Sequence, residues 1–139
     1  MDVIYLNLDT PLFNYNRELN ISTQNIYLFQ QWFISNNRDR HQENIHVLQR
    51  NIENPYITKI YLLNEREYDW TEFGVDYTDK IVQLVITDRL TYSIAWNKMK
   101  ELDLDGYCIL ANLDIFFDEQ LEKLYYTDYD THPACITGA

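Results

Sequence analysis

Short apolar runs alternate with longer amphipathic segments along this chain, and each kind of segment predicts a different element. The apolar runs, whose length and polar flanks predict buried strands, lie at 26–30, 57–63, 81–86 and 107–112. Apolar positions three and four residues apart predict helices over 38–53 and 91–103. Strands that alternate with helices indicate parallel βαβ units. The pattern therefore predicts an α/β fold with a Rossmann-like, mostly parallel sheet flanked by helices.

The flanking segments complete this organisation. An apolar run within residues 1–8 predicts a short strand, and the asparagine-rich stretch from there to residue 24 predicts a polar loop. We expect residues 25–139 to form one α/β domain, with a short helix at 119–126 and a last strand starting at 134–137. Because the sequence ends beside that last run, we expect the sheet to be incomplete at the C-terminus.

Polar residues follow each of the main predicted strands. The carboxyl ends of parallel strands lie at one edge of a sheet, where open α/β sheets bind their ligands. We therefore expect these polar side chains to converge on one cleft. They are Gln30 and Gln31, Asn64 and Glu65, Asp88 and Arg89, and Asn112 and Asp114.

The stretch from Gly106 to Asp118 contains the most informative of these ends. A glycine opens a short apolar run, which ends abruptly in Asn112-Leu113-Asp114. Mg²⁺ and Mn²⁺ prefer oxygen ligands, and one or two carboxylates suffice when a substrate phosphate supplies others. Asp114 and Asp118 are thus candidate ligands of a divalent cation. The alternative is that Asp114 caps the next helix and Asp118 is a solvated charge at its start.

The net charge of the chain disfavours some classes of binding partner. The formal net charge is −11 and the pI is near 4.5, which disfavours nonspecific binding to nucleic acid because such binding relies on lysine and arginine. It also disfavours an anionic membrane surface. An acidic protein can still bind a phosphorylated ligand through a divalent cation.

The two cysteines, Cys108 and Cys135, are a poor basis for a disulfide framework, since Cys108 lies in a predicted core strand. The N-terminal residues lack a basic region followed by a long apolar run, so we expect no signal peptide, and no apolar stretch in the sequence is long enough to span a membrane. We therefore expect a cytoplasmic protein.

The run from Arg89 to Asp114 resembles the core of GT-A type glycosyltransferases, which belong to the nucleotide-diphospho-sugar transferases. In that family a helix with a small residue and an asparagine leads into a strand that ends in an Asp-x-Asp motif. Here Ala95 and Asn97 occupy the helix positions, and Asn112-Leu113-Asp114 replaces Asp-x-Asp. The chain departs from the family pattern at Asn112, and at Gln30-Gln31, where many members have a proline and a small residue.

The resemblance implies a metal-assisted transfer of a sugar from a nucleoside-diphosphate-sugar donor to a hydroxyl of a glycan, lipid or protein acceptor. It implies Mn²⁺ or Mg²⁺ as the cofactor, with Asp114 and Asp118 as ligands. It also implies that the other polar strand ends contact the donor, and that the acceptor-binding half lies beyond residue 139. The competing hypothesis is a non-catalytic binding or interaction module with the same fold.

Overall fold

The computed structural model describes residues 2–4 and 25–126. Its strands are β1 (Asp2–Ile4), β2 (Ile26–Gln30), β3 (Lys59–Asn64), β4 (Ile81–Val85) and β5 (Tyr107–Leu110). Its α-helices are α1 (Arg38–Glu53) and α2 (Tyr92–Leu102), and two 3₁₀ helices cover Trp70–Phe73 and Glu119–Tyr126. The α/β class is confirmed, and the bounds of β2 and α1 agree with those predicted. Strand β3 begins two residues later than predicted and extends to Asn64.

The five strands form one parallel sheet in the order β1-β5-β2-β3-β4. Strand β5 therefore lies in the interior of the sheet, as predicted. From β2 the chain proceeds outward through β3 to β4, then returns to place β5 on the other side of β2. This change of direction between β2 and β5 is a topological switch point, the position at which α/β sheets form a crevice at their carboxyl edge.

Alternating side chains of the strands enter two separate cores, because successive residues of a strand point to opposite faces. Ile26 and Leu28 pack in one core with Leu48 of α1. Tyr27 and Phe29 pack in the other core with Met99 of α2. The two helices thus cover opposite faces of the sheet, which is the arrangement that right-handed crossovers on either side of a switch point require.

Both helices begin at a side-chain cap. The Asn37 side chain accepts from the backbone N–H of Arg40 at the start of α1, and the Thr91 side chain accepts from the N–H of Ile94 at the start of α2. Such caps satisfy backbone donors that have no partner within the helix. Helix α1 ends at Glu53, two residues before Pro55, because proline disfavours a helical conformation at the residue that precedes it.

Gly106 permits β5 to enter the sheet beside β2. Its φ is +150°, and a Cβ atom there would lie 2.4 Å from the backbone oxygen of Asn25. The same oxygen accepts a hydrogen bond of 2.8 Å from the N–H of Tyr107. A side chain at residue 106 would therefore force apart the two strands that form the switch point.

The polar and aromatic segment between β3 and β4 is ordered around an aromatic cluster. Phe73 is buried and packs edge-on against Trp32 and Trp70, with ring centroids 5.6 Å and 5.3 Å apart. Arg66 pairs with Glu72 at 2.8 Å, and this hydrogen bond lowers the pKa of the Glu72 carboxyl. The aromatic residues of this segment therefore extend the core that lies under α1.

The N-terminal strand β1, which the sequence analysis assigned to a separate segment over 1–24, pairs with β5 in the same sheet. The predicted loop up to residue 24 and the predicted strand at 134–137 lie outside the described residues. None of the helices in the described ranges is both long and apolar enough to cross a membrane.

Candidate functional site

A buried glutamine bridges the switch point. Gln30 at the end of β2 is fully buried, and its Nε2 donates to the backbone oxygens of Asn112 at 2.8 Å and Ile115 at 3.3 Å. The side chain thereby joins the carboxyl ends of β2 and β5. Gln30 was expected to contact a donor directly, but its amide N–H groups are already used within the protein.

Gln31, the next residue after β2, joins the end of this strand to the segment that follows β4. Its Nε2 donates to the backbone oxygen of Asp88 at 2.9 Å, and its Oε1 accepts from the N–H of Leu90 at 3.1 Å. This pair of bonds fixes the backbone on both sides of Arg89, whose side chain is exposed and forms no ion pair with a described residue. Arg89 is therefore available to an anionic ligand, whereas the Gln31 amide is not.

The backbone just before Asp88 is strained. Thr87 has φ of +61°, in the left-handed region, which a β-branched side chain rarely adopts. Its hydroxyl donates to the backbone oxygen of Ile86 at 2.7 Å. This turn redirects the chain at the carboxyl end of β4 and brings Asp88 back to Gln31.

Asn64 at the end of β3 is also used internally. Its Oδ1 accepts from the N–H of Trp32 at 2.8 Å, and its Nδ2 donates to Oε1 of Gln83 at 2.7 Å. Asn64 is fully buried, whereas the neighbouring Glu65 is exposed. Of this predicted pair, only Glu65 presents its side chain to solvent.

Strand β5 is followed by a tight turn that exposes Asp114. The N–H of Ile115 donates to the oxygen of Asn112 at 3.1 Å, and Leu113 within the turn is 5% exposed and anchored in the core. The side chains of Asn112 and Asp114 are exposed on either side of Leu113. The motif Asn112-Leu113-Asp114 therefore forms a turn whose central residue is buried and whose outer residues expose an amide and a carboxylate to solvent.

Asp118 has a different environment. One of its carboxylate oxygens accepts from the backbone N–H of Gln120 at 2.9 Å, at the start of the second 3₁₀ helix. This contact matches the helix-start role that the sequence analysis gave as the alternative for Asp118. No such contact involves Asp114 among the described residues, so the hydrogen bond that begins this helix comes from Asp118.

Two buried asparagines, Asn51 in α1 and Asn54 directly after it, hold the segment that follows Asp114, and neither was predicted as a functional residue. Asn51 donates to the oxygen of Ile115 at 3.1 Å and accepts from the N–H of Phe117 at 2.9 Å. Asn54 donates to the oxygens of Phe117 at 3.0 Å and Asp118 at 3.2 Å. Their signal in the sequence was the placement of Asn51 on the apolar side of the helix and of Asn54 at its end, since an unpaired amide is costly where it is buried.

Asp114 faces α1 across an open pocket of about 420 Å³. The pocket is lined by Asp39, Gln42, Glu43, His46, Val47 and Asp114. Three of these side chains are carboxylates, so the pocket favours cations. The structure thus brings Asp114 beside α1, Gln30 beside Asn112, and Gln31 beside Asp88.

The oxygen atoms around Asp114 suit a divalent cation that takes its other ligands from water and substrate. No group of three or more histidine, cysteine, aspartate or glutamate side chains arranged to hold a metal exists in residues 2–4 and 25–126. A cation held wholly by protein ligands is therefore not supported in this part of the chain. Mg²⁺ and Mn²⁺ can instead be held by one carboxylate with water and substrate phosphates, and the exposed Asp114 and Asn112 oxygens fit that role.

Comparison of the chain with protein-family models, with curated proteins and with solved structures gave no match.

Proposed function

We propose that this chain is the nucleotide-sugar-binding part of a GT-A type glycosyltransferase. The proposed reaction moves a sugar from a nucleoside-diphosphate-sugar donor to a hydroxyl of a glycan, lipid or protein acceptor. The observation that carries the proposal is the position of Asp114. It is an exposed carboxylate in the turn after an interior strand, beside the switch point of a parallel sheet.

The charged side chains at the carboxyl edge of the sheet favour a phosphorylated ligand that is bound together with a cation. Asp114 and the carboxylates of α1 provide negative charge on one side of the switch point. Arg89, on the turn fixed by Gln31 after β4, provides an exposed guanidinium at the same carboxyl edge of the sheet and can bind phosphate bidentately. Mn²⁺ or Mg²⁺, when bound, supplies positive charge that stabilises the departing diphosphate.

The chain's own residues bind and orient the donor in this proposal. Asp114 and Asn112 hold the cation, Arg89 contacts the diphosphate, and Glu65 accepts from ribose hydroxyls. Gln30, Gln31 and Asn64 act on the donor only through the backbone segments that they fix. This division of roles follows from which side chains are exposed and which are already hydrogen-bonded.

Thermal denaturation with uridine or guanosine diphosphate, with and without Mn²⁺, tests the proposal. The parent protein should gain stability from nucleotide plus Mn²⁺, because a ligand that binds the folded state raises its stability by mass action. Asp114→Asn should lose this gain, since a neutral amide is a poorer ligand for a hard cation. Without ligand, the Tm of the variant should stay within a few degrees of the parent's.

Asp105→Asn is the matched control, because Asp105 is an exposed carboxylate just before the same strand, at the opposite edge of the sheet. It should retain the full Mn²⁺-dependent gain. Asp118→Asn should retain most of it, since Asp118 also serves the 3₁₀ helix. An Asp114→Asn protein that keeps the whole gain would remove the basis of the metal assignment.

A second candidate function is a non-catalytic binding or interaction module. The observation that favours it is the internal use of Gln30, Gln31 and Asn64, which leaves fewer polar groups for a donor at this edge. Calorimetric titration distinguishes the two functions. A well-folded protein that binds no nucleoside diphosphate in the presence of Mn²⁺ favours the module.

A further inference from the structure

The segment from Ile115 to Asp118 lies along the last turns of α1. Asp114 lines a pocket together with His46 and Val47 of α1, the oxygen of Ile115 is bonded to Asn51, and the oxygen of Asp118 is bonded to Asn54. The segment therefore runs in the same direction as the helix and is attached to it at successive turns. A chain segment without regular secondary structure acquires a fixed path in this way.

The bonds made by Asn51 resemble those of a neighbouring strand. A side-chain amide that donates to the oxygen of Ile115 and accepts from the N–H of Phe117 satisfies both groups, as a paired backbone would. Arg50 adds a contact on the solvent side, with its guanidinium 4.5 Å from the ring centroid of Phe116. Each residue from 115 to 118 is thus in contact with α1.

The residues before Asp114 are fixed as well. Gln30 binds the oxygen of Asn112, and Leu113 is anchored in the core. Asp114 is therefore an exposed side chain between two restrained stretches of backbone. A ligand group held in this way needs little reorganisation when it binds a cation, and loss of the support reduces affinity.

We propose that Asn51 and Asn54, here called the asparagine clamp, are positioning residues for Asp114. The clamp holds the backbone after Asp114 so that the carboxylate stays directed at a metal–diphosphate ligand. The identity of that ligand rests on the proposed function above, whereas the effect of the clamp on the backbone does not. Both clamp residues are buried, and neither lines the pocket beside Asp114.

Asn44 offers a matched control for Asn51. Both are buried on the same face of α1, seven residues apart. The Nδ2 of Asn44 has no hydrogen-bond partner among the described residues, whereas Asn51 holds the segment after Asp114. Asn44→Ala therefore reproduces the loss of a buried amide from α1 without releasing the segment.

Amide hydrogen exchange by NMR and calorimetric titration with uridine diphosphate, with and without Mn²⁺, test the clamp together. In Asn51→Ala the amide of Phe117 should exchange at least tenfold faster relative to the core strands, and in Asn44→Ala it should not. The affinity for uridine diphosphate plus Mn²⁺ should fall at least tenfold in Asn51→Ala. The weaker affinity for the nucleotide alone should change less than threefold.

If Asn51→Ala folds poorly, Asn51→Asp takes its place in both measurements. It keeps the acceptor for Phe117 but places a carboxylate oxygen against the oxygen of Ile115. It should retain exchange protection at Phe117 and still lose at least tenfold in Mn²⁺-dependent affinity.

The hydrogen-exchange and titration measurements distinguish failure of the clamp from failure of the proposed function. Unchanged exchange at Phe117 in Asn51→Ala overturns the clamp, whatever the parent binds. Faster exchange with unchanged Mn²⁺-dependent affinity overturns its positioning role. A parent protein that binds no nucleotide overturns the proposed function and the positioning role with it, while the exchange arm still decides whether the clamp restrains the backbone.

Discussion

The side chain of Gln30 donates a hydrogen bond of 2.8 Å to the backbone oxygen of Asn112, and this bond joins β2 to the turn after β5. Both strands contribute their carboxyl ends to the switch point, so the bond determines how far apart those ends lie. A glutamine is suited to this position because it reaches across the crevice as a neutral donor.

Replacement of Gln30 should test this bridge. Gln30→Met should lower the free energy of unfolding by about 1 to 2 kcal/mol, because it removes the donor to two backbone oxygens. Gln30→Glu should cost about 3 kcal/mol or more at pH 7, because it buries a carboxylate without a partner. Urea denaturation measures both values.

The cost of Gln30→Glu should also depend on pH. Burial raises the pKa of the new carboxyl in the folded state, so its protonated form is favoured there and can still donate to one oxygen. The deficit relative to the parent should therefore grow as the pH rises from about 4 to 7. A deficit that is constant over this range would show that residue 30 is not enclosed as described.

Gly106→Ala should be strongly destabilising. The new Cβ would lie 2.4 Å from the backbone oxygen of Asn25, and the φ of +150° is unfavourable for alanine. We expect a loss of about 2 to 4 kcal/mol in the free energy of unfolding.

Gly74→Ala is the appropriate comparison for Gly106→Ala. Gly74 has φ of +69°, but its new Cβ would meet the end of the Ile45 side chain at 2.8 Å rather than backbone. A side chain can move aside, so the cost should be about 1 to 2 kcal/mol. Equal costs for the two variants would contradict the close approach of β5 to β2.

Lys80 should give the protein an alkaline dependence of stability. Its Nζ donates to the backbone oxygens of Ile52 and Asn54 at 2.7 Å each, at the end of α1. Burial lowers the pKa of Lys80 from 10.5 to about 8. Between these values the unfolded chain binds more protons than the folded one, so the contribution of Lys80 to stability rises with pH.

Lys80→Met and Lys80→Arg provide the measurement, because neither side chain titrates in this range. From pH 8 to 10.5 the parent should gain about 1 to 2 kcal/mol relative to both variants in chemical denaturation, less than the whole shift implies because Lys80 is only half-buried and solvent screens its charge. The comparison with variants is needed because burial raises the pKa of Tyr27 and Tyr61, which lowers stability at high pH in all three proteins. A parent-to-variant difference that does not change with pH would count against the burial of Lys80.

Thr87→Asn should stabilise the protein by about 0.5 to 1 kcal/mol. Asparagine tolerates the left-handed conformation that Thr87 adopts at φ of +61°. Thr87→Val should instead destabilise it, because valine keeps the unfavourable backbone and removes the hydroxyl that donates to Ile86. Differential scanning calorimetry should rank the Tm values in the order asparagine, threonine, valine, and any other order would contradict the strain at this turn.

The sequence predicted the elements better than it predicted what their polar ends do. Helix α1 was located well because its apolar residues recur three and four positions apart, a pattern that lies within the segment itself. The interior position of β5 also followed from its apolar run. These features depend on residues close together in the chain or on the burial of a whole segment.

The roles of Gln30 and Asn64 could not be predicted in this way. Their residue types indicate hydrogen bonding but not the partner, and the partners lie 82 and 32 residues away in the chain. Asn51 presents the same difficulty, since its partner Phe117 belongs to a segment without periodic pattern. Whether an amide side chain binds a ligand or its own protein is decided by the tertiary fold.

The placement of β5 between β1 and β2 has a consequence for the order in which the protein folds. Strands β2, β3 and β4 pair with their neighbours in sequence and can associate early. Strand β1 has its partner in β5, with Asp2 opposite Tyr107, so this pairing closes a loop of roughly 100 residues. During synthesis β1 leaves the ribosome before the other described strands and is among the last of them to be paired. Until β5 arrives, the inner side of β2 is an open edge to which another chain can bind.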